Sequence, residues 1–329
     1  MKKAVLDIKW LEDNSPHLVW NGKENVPVEF HLRELPNDMK YMCFLAGELK
    51  NSAHYFTTFA NVNKDNANES GFEFGVQWSA WRYEDRVSNA KVVQAKVASE
   101  KKELKEATKL KKMRDCIRSL ECRQKEVPLV ERYVDLAKAE PLHMKNNVCK
   151  EQFCRILSAC VPALKKKSPY KDLPEDCALV VLVKFVRQPM NCNGLSLDIK
   201  KWFDETPDKP FTKRFRGHES KQYLKHFPEL MAAVRPHITT DALTQLFQTC
   251  YMSLLLRKVI SYSVRITDFN AEDLVDCKKV CRDLFEAVCS FDSTITPSMW
   301  VLTNMSHVHA KITFEKYGLN PQYHLEHQT

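Results

Sequence analysis

In the first sixty or so positions apolar residues alternate with polar ones. Leu6, Ile8 and Trp10 share one face of a predicted strand, and Val28, Phe30 and Leu32 share one face of a second, which starts just after Val26-Pro27. Between Asn37 and Lys50 the spacing lengthens. Met39, Met42, Leu45 and Leu49 recur every three to four residues with Asn37 placed as an N-cap, which predicts a helix. Tyr55-Phe56-Thr57-Thr58-Phe59 returns to aromatic and β-branched strand chemistry, then gives way to Asn61-Val62-Asn63-Lys64-Asp65-Asn66, a loop by composition. The resulting order of strand, strand, helix, strand is that of an α/β sheet fragment.

From Gly71 the character shifts. Arg86 to Glu126 reads as one or two highly charged helices with Leu104, Leu110, Met113, Ile117 and Leu120 as a narrow apolar stripe. Such a stripe suits a solvated helix docked along one side, with a nucleic-acid arm as the alternative. Helical periodicity continues at Cys149–Leu164, Ala178–Val186, Leu195–Phe203, Ser220–Val234, Asp241–Tyr262 and Ala271–Ser290. Pro162, Pro174, Pro189, Pro207, Pro210, Pro228 and Pro236 fall mostly at or near the joints, where proline breaks or starts helices. The predicted class is therefore α+β and predominantly helical.

Composition narrows the chemistry. With 329 residues and 44% hydrophobic content the chain can bury a core unaided. No stretch approaches about eighteen consecutive apolar residues, and Asp7 and Lys9 interrupt any signal-peptide core, so the expectation is an intracellular protein without a membrane partner. Twelve cysteines sit at helix-like intervals with no Cys-x-x-Cys pair, which predicts reduced, mostly buried thiols rather than a disulfide framework or a zinc ribbon. Seven glycines leave neither a Walker sequence nor Gly-x-Gly-x-x-Gly. Lysine and arginine number 50 against 42 aspartates and glutamates, a balance that favours an anionic partner.

Few residues offer chemistry. His307, His309, His324 and His327 form the one histidine cluster, and residues two apart on a helix face away from each other, so a solvated tail is the expectation over a metal site. Pro210-Phe211-Thr212-Lys213-Arg214-Phe215-Arg216-Gly217 interleaves cations with aromatics, the combination that neutralises phosphates and stacks on bases. A loop whose phenylalanines anchor it to the core while its cations face water fits the same residues. Lys165-Lys166-Lys167 and the lysines from Lys109 to Lys112 are weaker candidates for anion contact. Asp65 ends the predicted strand, where a carboxylate could project toward a divalent ion, but a two-metal site needs converging carboxylates and no second partner is evident. No Gly-x-Ser-x-Gly elbow is present.

Taken in order, several segments resemble the catalytic core of the recombination-activating (V(D)J) recombinase and its Transib transposase relatives. They are Leu45-Ala46-Gly47-Glu48-Leu49 followed by Phe56 to Asp65; Leu142-His143 with Asn147; Lys209-Pro210-Phe211 with Arg214 and Gly217; and Asn304 to His309 with Ile312. The resemblance spans residues 26 to 329. It implies a partial RNase H-like α/β unit over residues 1–70, a large helical insertion domain over 71–300, and a C-terminal segment, 301–329, leading back to the sheet.

The departures from that family matter as much. Asp65 falls on the family's second catalytic aspartate, while the first would lie upstream of the matching strands. Trp78 and Trp81 stand at the spacing of the family's Cys-x-x-Cys zinc half-site, and Asn304 and His309 at that of its histidine pair. Glu326 is left to stand in for the catalytic glutamate. The resemblance thus implies a transposase-derived protein without metal, cofactor or catalysis, with Lys213, Arg214 and Arg216 as DNA contacts and a nuclear location in keeping with them. The rival expectations are a metal-dependent strand-transfer enzyme that draws missing residues from elsewhere, a protein-interaction module, and a decayed reading frame.

Overall fold

A computed structural model describes residues 2–32, 35–37, 39–99, 106–161, 169–206, 208–263, 270–291 and 294–317. The chain divides into two compact units, residues 1–140 with 294–297 and residues 141–293 with 298–329. Its class is α+β and predominantly helical. Among the described residues no helix is long and apolar enough to cross a membrane.

The first unit opens with α1 (Lys2–Asp13), a helix where the alternation of Leu6, Ile8 and Trp10 predicts a strand. The reason lies in its polar residues. Val5 is buried, Lys9 pairs with Glu131, and the Glu12 carboxylate accepts the Tyr133 hydroxyl at 2.7 Å, so Val5, Lys9 and Glu12 form an inward stripe at helical spacing. Leu6 and Trp10 are left 62% and 60% exposed. Strands β1 (His17–Trp20) and β2 (Asn25–Val28) then pair antiparallel, with His17 opposite Val28 and Trp20 opposite Asn25. The Asn21 side chain accepts the backbone N–H groups of Lys23 and Glu24 at 2.9 and 3.0 Å, which shapes the turn between them. Phe30 and Leu32 lie beyond β2, so the second predicted strand ends earlier than its apolar pattern does.

After β3 (Leu35–Asn37), the helix predicted between Asn37 and Lys50 forms only as α2 (Met39–Leu45): Asn37 belongs to β3 instead of serving as an N-cap, and Leu49 lies beyond the helix. It stops at Gly47, whose φ of +66° is a left-handed conformation that glycine tolerates best. The backbone N–H of Glu48 returns to the Cys43 carbonyl at 2.8 Å and closes the turn. Tyr55 to Phe59 is buried but forms no ladder, only isolated bridges from Tyr55 to Asn63 and from Ala60 to Ala80. Side chains take the backbone groups that a neighbouring strand would have used: Trp81 Nε1 donates to the Thr57 carbonyl at 3.1 Å and Arg86 to that of Thr58 at 2.6 Å. The charged stretch is two helices, α3 (Tyr83–Ala98) and α4 (Glu106–Ser119), packed through Val93, Met113, Ile117 and Cys122. Strand β4 (Ala137–Ala139) pairs parallel with β3.

The second unit is helical: α5 (Pro141–Cys160), α6 (Ala178–Arg187), α7 (Asn193–Glu205), α8 (Gly217–Val234), α9 (Thr240–Ser263), α10 (Ala271–Phe291), α11 (Pro297–Asn304) and α12 (Ser306–Tyr317). Helix α5 packs on α8 and α9, α9 on α10, and α10 on α12. Pro228 lies inside α8 rather than at a joint, and the helix runs through it. All twelve cysteines are free and seven are buried, as their helical spacing predicts.

Candidate functional site

Residues 208–217 join α7 to α8, and aromatic burial fixes their path. Phe211 packs edge-on to Trp202 of α7 with ring centroids 5.6 Å apart, and Phe215 packs on Phe153 of α5 at 5.3 Å. Trp202 Nε1 donates to the Lys209 carbonyl at 2.8 Å, which ties the loop's start to the same helix. At the other end the Arg216 N–H donates to the Glu219 carboxylate at 2.6 Å, an N-terminal contact that starts α8. Both phenylalanines are buried, so the residues between and after them turn outward.

The three cations differ. Lys213 is half-buried and ion-paired with Asp198 of α7. Arg214 and Arg216 are exposed, and their guanidiniums have no ion pair among the described residues. Two separate features thus meet in one loop: anchored phenylalanines and unpaired guanidiniums. The structure matches the reading in which the phenylalanines anchor the loop while Arg214 and Arg216 face water, and with both rings buried neither is placed to stack on a base.

Asp65 sits in a turn that its neighbours knit together. The Asn63 side chain accepts the N–H groups of Asp65 and Asn66 at 2.9 and 3.1 Å, and Asn66 accepts the Asn63 N–H at 3.0 Å. The Asp65 carboxylate is 81% exposed, and the side chain at 3.6 Å from it is the His54 imidazole rather than another carboxylate. Glu326, His324, His327 and Lys165 to Lys167 lie outside the described residues. Among the described residues no group of three or more histidine, cysteine, aspartate or glutamate side chains is placed to hold a metal ion.

The positions at zinc-ligand spacing are built into packing. Trp78 is fully buried with Nε1 donating to Asn66 at 3.2 Å, and Trp81 is half-buried with its bond to Thr57. Asn304 is buried on α11 and donates to the Trp300 carbonyl at 3.2 Å. The expectation of a solvated histidine tail needs correction for His307 and His309. His309 is buried, and His307 is pushed down to about 4 by burial, with Lys278 adding repulsion. These two lie on α12, which packs on α10; His309 is buried there and His307 is half-buried.

One cluster has no signature in the sequence. Glu48, from the segment that resembles the family's helix and strand, is a buried carboxylate that pairs with Arg86 and, at 2.9 Å, with Arg123 Nε. Thr58 donates its hydroxyl to the same carboxylate at 2.8 Å. Arg123 also donates to the Leu49 carbonyl at 2.5 Å and to Asn51 at 3.2 Å. These partners are scattered along the chain, so no local pattern could have paired them. In comparison with known proteins, the sequence matches no family model and no curated protein.

Proposed function

We propose that the chain is a transposase- or recombinase-derived protein, inactive in strand transfer, that binds DNA along its phosphate backbone in an intracellular, nuclear setting. The observation that carries this reading is the pair of exposed, unpaired guanidiniums of Arg214 and Arg216 on a loop pinned by Phe211 and Phe215. An anchored loop has less conformational entropy left to lose on binding, and a guanidinium fork suits phosphate oxygens. Loss of chemistry is supported by the surroundings of Asp65, which pairs with His54 and stands in a solvent-exposed turn.

The test is fluorescence anisotropy with duplexes of unrelated sequence, together with incubation of the same DNA in magnesium or manganese. Arg214→Gln with Arg216→Gln should weaken binding to a similar extent on every duplex, and the wild-type chain should leave the DNA intact. Metal-dependent cleavage that disappears in Asp65→Ala would replace this reading with the strand-transfer enzyme. A protein-interaction role is the second reading. It is favoured by the exposed apolar side chains of Leu6, Trp10, Leu18 and Trp20 in the first unit, and binding to a partner that ignores salt would mark it.

A further inference from the structure

In the first unit a cavity of about 650 Å³ lies between α4 and residues 48–55. Leu49, Met113, Ile117 and Cys122 give it an apolar floor, which is the outer side of the cluster that packs α3 against α4. Tyr55 and Leu110 extend this apolar wall. The remaining lining is mainly cationic: Lys50, Arg114, Arg118 and Lys125, beside the His54 imidazole and against the carboxylates of Glu48 and Asp115.

Glu48 does not offset those cations, because its carboxylate is already shared by Arg86, Arg123 and Thr58. Two buried guanidiniums around one carboxylate leave the polar cluster beside the cavity with a surplus positive charge. Lys125 pairs with Glu126 and His54 with Asp65. The side chains of Lys50, Arg114 and Arg118 have no ion pair or hydrogen bond among the described residues. Arg114 and Arg118 are four residues apart on one face of α4, a like-charge arrangement that destabilises a helix until an anion bridges it.

We infer that this cavity binds an organic phosphate of mononucleotide size. Several unpaired cations in one place suit a multiply charged head better than a single carboxylate, and arginine forks grip phosphate oxygens in pairs. The apolar floor and Tyr55 suit a flat or apolar body, and the volume is that of an ordinary small-molecule site. The phosphate sits among Lys50, Arg114 and Arg118, with the body against Leu110, Met113 and Tyr55. A free nucleotide and the 5′-phosphorylated end of a strand present this same chemistry. Arg214 and Arg216 belong to the other unit.

Calorimetric titration of the full chain with adenosine monophosphate, adenosine and inorganic phosphate tests the inference. The nucleotide should bind at least roughly tenfold more tightly than either fragment, since only it uses both the cations and the floor. Arg114→Gln with Arg118→Gln should lower that affinity by about tenfold or more without lowering the melting temperature, since it relieves a like-charge pair on α4. Leu110→Glu, a change at a half-exposed position that adds a negative charge to the lining, should do the same. Nucleotide binding that survives both variants, or no binding of the nucleotide, overturns the site. Equal affinity for inorganic phosphate overturns the role of the floor. A short 5′-phosphorylated oligonucleotide that binds more tightly than the mononucleotide, and loses this in the same variants, supports the site and assigns it to strand ends. Preference for the mononucleotide supports it and assigns it to free nucleotides. Arg214→Gln with Arg216→Gln should leave nucleotide binding intact, which separates failure here from failure of the DNA-backbone reading.

Discussion

Glu48 stands between two buried guanidiniums, and removing its charge leaves both without a counter-ion. Breaking a buried pair in this way costs about 3–5 kcal/mol, mostly as the penalty of unpaired charge. Glu48→Gln should therefore lower the stability measured by urea unfolding by that amount, whereas a loss below about 1 kcal/mol would mean that the arginines find other partners. His307 makes a second residue-scale prediction. Its pKa is pushed down to about 4 in the folded chain, against about 6.5 when unfolded. Between these values the unfolded state binds more protons, so stability falls as pH drops from about 6.5 toward 4 and is fully present above that window. His307→Gln should flatten the pH dependence of the melting temperature in this range. An unchanged slope would show that His307 titrates normally. None of this was legible in advance, because burial and long-range pairing leave no mark on local residue order.

At the scale of elements, the helices from Ala178 to Phe291 were legible almost to their ends, since all but α9 bury an apolar stripe of helical period, and α9, which buries Thr249 and Ser253 and exposes Phe247 and Leu254, was legible from its apolar length. The first strand was not. In α1 the inward stripe joins Val5 to Lys9 and Glu12, which are held by Glu131 and Tyr133, so Leu6 and Trp10 report the wrong side. Tyr55 to Phe59 has strand composition, but Trp81 and Arg86 take carbonyls that a ladder would have used. Helix α11 escaped because almost every one of its residues is buried, leaving no polar face to set a period. Of the candidate interface, the loop between α7 and α8 was legible as alternating aromatics and cations, whereas the ion pair that occupies Lys213 comes from Asp198 on another element. Gly47 shows how strictly one residue can end an element. A Cβ there would lie 2.4 Å from the Glu126 carbonyl oxygen, at a positive φ that alanine adopts poorly. Gly47→Ala should cost roughly 1–3 kcal/mol or more in a chemical melt. A neutral outcome would mean that the turn after α2 and the 125–127 backbone move apart freely.

The molecule as a whole carries an excess of eight positive charges, and Arg214 and Arg216 stand on a loop held by buried rings. Net charge alone attracts any polyanion weakly, so the distinguishing quantity is how much of the salt dependence belongs to Arg214 and Arg216. The most direct measurement is the slope of the logarithm of the DNA association constant against the logarithm of salt concentration, for the wild-type chain and for Arg214→Gln with Arg216→Gln. If both cations contact duplex phosphates, the slope should become shallower by about 0.9 for each lost contact, or roughly 1.8 in all. Lys213→Gln should change it little, since Asp198 already neutralises that lysine. Phe211→Ala should reproduce part of the loss by releasing the loop. A double variant whose slope equals that of the wild-type chain would contradict the assignment of DNA binding to this loop.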